Sequence, residues 1–228
     1  MSYRQTPSPK RAVVLVSGGM DSAVGLGIAA KEYCPAVIHI NYGQKTERRE
    51  LRAFNSLADF YNVKKRLVVN LEHLKKIGGT SLIDRDMEIP DGLSNGNVPS
   101  TYVPFRNAQF LTIAISWAEV IGASVLVTGT TEEDAAGYPD CRKIFYELFN
   151  KIVEVGTKDD SKIEIITPLI SLKKRDIVKL GMELKVPFEL TWSCYRNNEK
   201  ACGRCDSCLR RLRAFKETGV EDKIEYEH

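Results

Sequence analysis

The chain has 228 residues and a formal net charge of +3; 43% of the residues are hydrophobic and 28% charged. That is the make-up of a soluble globular protein long enough for one substantial domain with a small addition. No apolar run approaches the roughly eighteen residues of a membrane span, residues 1–10 form a polar tail without the apolar core of a signal peptide, and so small a charge neither demands nor excludes nucleic acid, which makes the cytoplasm the expected compartment.

The first element is the apolar run Ala12-Val13-Val14-Leu15-Val16, which reads as a buried strand. Ser17-Gly18-Gly19-Met20-Asp21-Ser22 follows it, and a helical pattern runs from Ser22 to Glu32 with Val24 and Ile28 on one face. Adjacent glycines let the backbone turn tightly and approach a ligand with no Cβ in the way. The helix N-terminus then offers unpaired N–H groups to an anion, and Ser17 and Ser22 add hydroxyl donors. Asp21 suits such a place only if a cation sits between it and the anion. No Gly-Lys pair occurs anywhere, which excludes a Walker P-loop, and no Gly-x-Gly-x-x-Gly follows the first strand, which excludes the dinucleotide fingerprint.

Val37–Asn41 predicts a second strand, Thr46–Tyr61 a helix with a solvated basic face (Lys45, Arg48, Arg49, Arg52), and Arg66–Asn70 a third strand. Residues 77–103 have neither period and are punctuated by glycine and proline; a loop of that length suits a mobile lid over the site. Pro104–Ile121 reads as a helix, Ser124–Thr128 as a strand ended by Gly129, and 130–140 as an acidic loop. Cys141–Val155 is helical, Lys162–Ile166 a short strand, and Leu172–Leu184 a helix. Strands alternating with helices predict an α/β protein with a doubly wound parallel sheet, Gly129 standing level with the first loop.

Four of the six cysteines crowd into one stretch, Cys194, Cys202, Cys205 and Cys208, spaced Cys-x7-Cys-x2-Cys-x2-Cys. The x2 steps let thiolates converge on one ion, and four sulfurs complete a tetrahedral zinc site of structural type. An iron–sulfur cluster is the competing reading, and a disulfide framework suits the compartment poorly. Arg204, Arg210 and Arg211 are expected to offset the thiolate charge. Cys34 and Cys141 read as buried packing, and His39, His73 and His228 form no constellation.

The first loop resembles the PP-loop of the ATP pyrophosphatase group, whose pattern is Ser-Gly-Gly-x-Asp-Ser. Three more stretches narrow the resemblance: Tyr102-Val103-Pro104-Phe105-Arg106-Asn107, Gly137-Tyr138-Pro139-Asp140-Cys141-Arg142, and Thr167-Pro168-Leu169 leading to Lys174. In this order, with the four cysteines after them, they resemble the 7-cyano-7-deazaguanine synthase (QueC) family over residues 11–215. The chain departs from the family's familiar form at Met20, Ala23 and Phe105 and in the loop Thr131–Ala136.

The resemblance implies a Rossmann-like fold of the PP-loop type, with a tail at 1–10, an ATP-binding α/β domain at 11–190 and a zinc-binding segment at 191–228. It implies ATP-dependent conversion of 7-carboxy-7-deazaguanine and ammonia to the nitrile, on the way to queuosine or archaeosine in tRNA, by a homodimer with no direct nucleic-acid or membrane partner. ATP would lie on Val16, Ser17, Gly18, Gly19, Met20, Asp21, Ser22, Ala23, Val24 and Gly129, with Asp21 placing Mg²⁺. Lys174 and Arg106 would neutralise charge as pyrophosphate leaves, making these two and Asp21 the candidate catalytic residues. Asn107, Asp134, Tyr138, Asp140 and Arg142 are the candidates to read the deazapurine. The PP-loop leads to an expectation of AMP as the nucleotide product. Two other readings carry different consequences. A PP-loop enzyme adenylating a tRNA base would bind RNA in a salt-dependent way. A non-catalytic zinc module binding nucleic acid through Arg204, Arg210, Arg211 and Arg213 would not need Asp21.

Overall fold

The structure is a computed structural model and describes residues 10–94, 97–135 and 137–227. Nearly all of the expected tail, His228 and Ala136 lie outside the described residues. Among the described residues no helix is long and apolar enough to cross a membrane.

Five strands form one sheet: β1 (Arg11–Leu15), β2 (Cys34–Asn41), β3 (Arg66–Asn70), β4 (Val125–Val127) and β5 (Glu164–Ile166). Every pairing is parallel and the spatial order is β3-β2-β1-β4-β5. The helices are α1 (Met20–Glu32), α2 (Glu47–Phe60), α3 (Glu72–Ile77), α4 (Arg106–Ile121), α5 (Glu132–Ala135), α6 (Lys143–Gly156), α7 (Lys174–Glu183) and α8 (Asp206–Thr218). Alternate residues of the strands face opposite layers, as a pleated strand requires. Val13, Ile38, Leu126 and Ile165 pack with α4 and α6 on one face. Ala12, Val14, Val37 and Val127 pack with α1, α2 and α7 on the other. Both faces are therefore buried, which is why these strands read as unbroken apolar runs.

The C-terminal segment is bound closely to this body. The Trp192 N–H donates to the Gly18 carbonyl at 2.8 Å, the Arg49 guanidinium lies 4.4 Å from the centre of the Trp192 ring, and α8 packs on α7. Arg211, 1% exposed, forms a bidentate pair with Asp222 at 2.7 and 2.8 Å. The Tyr226 hydroxyl donates to the same carboxylate at 2.6 Å, so the chain end folds back over the segment.

Several expectations need correction. Cys34 is exposed, because it opens β2 at the N-terminal edge of the sheet beyond the reach of the core. The described residues of 77–103 pack against the body as a wall, through contacts the glycines and prolines did not reveal; Asn95 and Gly96 of that stretch lie outside the described residues. Leu82, Ile83, Ile89 and Val103 are buried in the core, Asp91 bridges to Cys205, and the Ser94 N–H donates to Asp206 at 2.9 Å. Arg204, Arg210 and Arg211 do not serve the thiolates; each has a carboxylate of its own, Asp91 and Glu227, Asp206, and Asp222.

Candidate active site

The strand order reverses between β1 and β4, and the loops leaving their C-terminal ends meet there, the place where open α/β sheets hold ligands. Gly18 has φ +91°, and a Cβ there would lie 2.7 Å from the Glu50 carbonyl oxygen, so the turn has to be glycine where it crosses α2. The turn bonds to itself: Ser17 Oγ accepts from the Gly19 N–H at 3.2 Å, and Ser22 Oγ donates to the Gly19 carbonyl at 3.0 Å. On the β4 side, a Cβ on Gly129 would lie 2.7 Å from the Asp21 carbonyl carbon and 2.8 Å from the Ser22 nitrogen. Backbone cannot yield as a flexible side chain can. Gly129→Ala is therefore expected to push the loop from its position, costing about 1–3 kcal/mol by overpacking. Urea unfolding checks this, and unchanged stability would show that the two loops move independently.

The loops open into a cavity of about 270 Å³. Val16, Ser17, Gly19, Met20, Asp21, Ser22 and Gly129 line it, together with Arg106, Asn107, Asp134, Tyr138 and Lys174. Residues up to 158 positions apart in sequence thus meet in one space. Other expected site residues do not reach it. Gly18 lies beneath the turn, and Ala23 and Val24, both 0% exposed, face the core side of α1. Asp140 is 4% exposed and its Oδ2 accepts the Asn107 N–H at 2.9 Å, so it anchors the first turn of α4 instead of meeting a ligand. Arg142 is exposed at the start of α6, outside the cavity, because the chain turns away after Pro139–Cys141. Asn107 is half committed, since its side-chain N–H₂ donates to the Asp140 carbonyl at 3.1 Å and to Cys141 Sγ at 3.3 Å.

Lys174 holds the charged centre together. Its Nζ lies 2.8 Å from Asp21 Oδ2 and 3.0 Å from Asp134 Oδ2. Burial alone would drive the ammonium toward neutrality, but the two carboxylates outweigh it and hold the group protonated well above the ordinary lysine value. The other Asp21 oxygen, Oδ1, is buried without a partner. An orphaned carboxylate oxygen beside a turn of N–H and hydroxyl donors is a fitting ligand for a hard cation. Cys141 faces the cavity, but burial pushes its thiol up to about 12, so it is no nucleophile at neutral pH.

Sequence patterns did not point to the rest of the wall. Tyr42, Ser193, Tyr195, Asp206 and Arg210 line the cavity as well. Tyr195 and Asp206 lie between the cysteines and Ser193 and Arg210 beside them, where the spacing of the thiols drew attention away from their neighbours. The four Sγ atoms of Cys194, Cys202, Cys205 and Cys208 lie within 4.8 Å of one another, and all four residues are buried. The N–H groups of Arg196, Asn197 and Cys202 each donate to Cys194 Sγ at 3.4 Å, an arrangement that suits a thiolate. Sulfurs this close suit the ligand shell of a single ion, whereas a cluster spreads its ligands over several metals.

Comparison with known proteins adds to this geometry. The family model described as "Queuosine biosynthesis protein QueC" matches residues 11–219. A "7-cyano-7-deazaguanine synthase" of Chloroherpeton thalassium is 56% identical over 218 residues, covering 95% of this chain and 96% of the relative. Proteins of the same name from Chlorobium phaeovibrioides and Chlorobium luteolum are 54% and 53% identical over 219 residues, with the same coverage of 95% and 96%. A solved structure of an NMN synthetase from Francisella tularensis is similar over 94% of this chain and 79% of that one, at 13% identity and a TM-score of 0.48.

Proposed function

The chain belongs to the family of the queuosine biosynthesis protein QueC, and on that premise we propose that it is a 7-cyano-7-deazaguanine synthase, converting 7-carboxy-7-deazaguanine and ammonia to the nitrile with ATP. The observation that carries this reading is the convergence of the Ser17–Ser22 turn, Gly129 and the Lys174–Asp21–Asp134 centre on one cavity at the switch point.

The chemistry asks for two activations. A carboxylate is a poor electrophile, so its oxygen first attacks the α-phosphorus of ATP and expels pyrophosphate; ammonia then displaces AMP and leaves the amide. The amide oxygen attacks a second ATP in the same way, and loss of AMP with the nitrogen's protons gives the nitrile. Each round carries one of the two carboxylate oxygens away on AMP. In this reading the N–H groups at Gly19–Ser22 and the hydroxyls of Ser17 and Ser22 hold the polyphosphate, and Lys174 balances the charge that develops as pyrophosphate departs. Asp21 Oδ1 would hold Mg²⁺, which when bound neutralises phosphate charge. Asp134 and Tyr138 present a carboxylate edge and an aromatic face to the deazapurine. The four thiolates would hold one structural Zn²⁺, whose loop places Tyr195 and Asp206 in the wall. A homodimer belongs to the same reading; Ile144, Leu148, Ile152 and Val155, 52–83% exposed and stacked along α6, support it as a face that a second copy would cover.

The test is the reaction with 7-carboxy-7-deazaguanine labelled with ¹⁸O in both carboxylate oxygens, plus ammonium, ATP and Mg²⁺, followed by mass spectrometry. The expected result is nitrile with one ¹⁸O in each AMP formed. Labelled phosphate with ADP would keep the function and overturn the adenylation route. No consumption of the base by folded, metal-loaded protein would overturn the substrate.

A further inference from the structure

Four cationic side chains line the cavity: Lys174, Arg210, Arg211 and Arg106. The first three are neutralised by carboxylates of the protein, at 2.7–3.0 Å. Arg106 has no carboxylate within 4.0 Å among the described residues. It is the first residue of α4, fixed there by the Asn107–Asp140 anchor, and its guanidinium lies against two aromatic rings that pack on each other, 5.3 Å from the centre of Tyr42 and 5.5 Å from that of Phe110. Its one protein partner is a phenol: Nη1 donates to the Tyr42 hydroxyl oxygen at 3.0 Å. Among the described residues Nε is buried and unpartnered and Nη2 has no hydrogen-bond partner. Nη1 lies in the guanidinium plane on the edge away from the Nε–H, so the parallel N–H pair of Nε and Nη2 is left intact. That pair is the fork that matches a carboxylate. Asp140 acts on this guanidinium only from beyond 4.0 Å, its carboxylate being bonded to the Asn107 N–H; a desolvated guanidinium with no carboxylate in contact is costly, and an anionic ligand on it lowers the cost.

We infer that Arg106 holds the carboxylate of the deazapurine substrate through its Nε–Nη2 edge, while the Tyr42 hydroxyl accepts from Nη1 and keeps that edge aimed. The inference rests on the proposed reaction and deepens it, by assigning the acid group to a subsite separate from the phosphate loop. Arg106 shares no hydrogen bond with residues 17–22, which supply their own donors for phosphate. The aromatic walls favour a flat aryl carboxylate over a hydrated polyphosphate. Tyr42 stays neutral at working pH, since burial pushes its phenol up to about 12 even against the pull of Arg106, so it holds Nη1 without supplying a competing negative charge. The same fork would hold the carbonyl oxygen of the amide more weakly once the negative charge is gone, which sets the oxygen in place for the second activation.

The test measures dissociation constants by calorimetry for 7-carboxy-7-deazaguanine, for its neutral carboxamide and for ATP, with wild type, Arg106→Gln, Arg106→Lys and Tyr42→Phe. Melting temperature and metal content confirm that each variant folds. Arg106→Gln is expected to lose about 30- to 100-fold for the acid, as a charge-assisted pair is removed, with less than about 5-fold change for the carboxamide and for ATP. Arg106→Lys should recover only part of the acid affinity, since a point charge cannot reproduce the fork. Tyr42→Phe, which keeps the ring, should lose roughly 3- to 10-fold for the acid alone and decides the matter if Arg106→Gln fails to fold. Equal losses for acid and carboxamide, or a loss confined to ATP, would overturn the inference and return Arg106 to the departing pyrophosphate. Wild type that binds neither base would overturn the proposed reaction itself.

Discussion

Lys174→Met is expected to cut turnover by roughly 10²–10³-fold, the usual cost of removing one preorganised charge from a transition-state site. It is also expected to destabilise the fold by about 2–3 kcal/mol, near the low end for breaking a buried ion pair. The low end applies because the Lys174 side chain is 10% exposed whereas Asp21 and Asp134 keep 26% and 27%, so water screens part of the loss. Methionine fills the space of the alkyl stem but leaves two carboxylates facing each other. The sign of the pH dependence follows from the raised lysine value. A lysine raised in the folded state contributes its full stabilisation below its unfolded value of about 10.4. That contribution then fades as the pH climbs through the higher folded value. The stability gap between wild type and variant should therefore be flat from neutral pH to about 10 and narrow above it. Urea unfolding at several pH values with single-turnover kinetics checks both parts. Full turnover in a destabilised variant would make Lys174 a structural residue only.

Emptying the proposed four-cysteine metal site should have the larger effect on the fold. A structural zinc contributes an apparent ~10–16 kcal/mol when its site folds around it, as large as the ~5–15 kcal/mol that holds an ordinary domain together. The four cysteines are at most 2% exposed, and without an ion their thiols crowd a space shaped for one. Cys205→Ser or chelation is expected to lower the melting temperature by at least about 10 °C, from a loss of ~4 kcal/mol or more in a chain of this length. Turnover should go with it, because Ser193, Tyr195 and Asp206 line the cavity from the same segment and stretch 77–103 is tied to it through Asp91. Cys34→Ser, at an exposed position, should change neither. Metal analysis, thermal melts and proteolysis within 191–227 make the comparison. An active, stable, metal-free protein would remove the segment from the mechanism.

Much of the molecule was legible in short stretches of sequence. Buried parallel strands show as unbroken β-branched runs, and the bounds of β3 were read to the residue. The turn after β1 declared itself because a sharp strand-to-helix turn at a ligand admits only glycine and small donors. The thiols declared themselves because metal geometry limits their spacing. Three helices were not seen, the four-residue α5 inside the expected acidic loop among them. In α3 six residues are too few to show a period, and in α8 the period is masked by cysteines and arginines whose partners lie elsewhere.

The places of Asp140, Arg106 and Tyr195 were set only by the tertiary structure. Asp140 and Asn107 are 33 positions apart, and the carboxylate serves the end of a helix that local sequence cannot point to. Arg106 and Tyr42 are 64 apart, and nothing near either residue marks Arg106 as the cavity-lining cation without an anion. Lys174 meets Asp21 across 153 residues. Periodicity, turn chemistry and ligand spacing act over a few residues and are written into the sequence directly. Which charges are neutralised, and which is left for a ligand, is set by desolvation and pairing across the whole chain, and those exist only once the sheet order has brought the loops together.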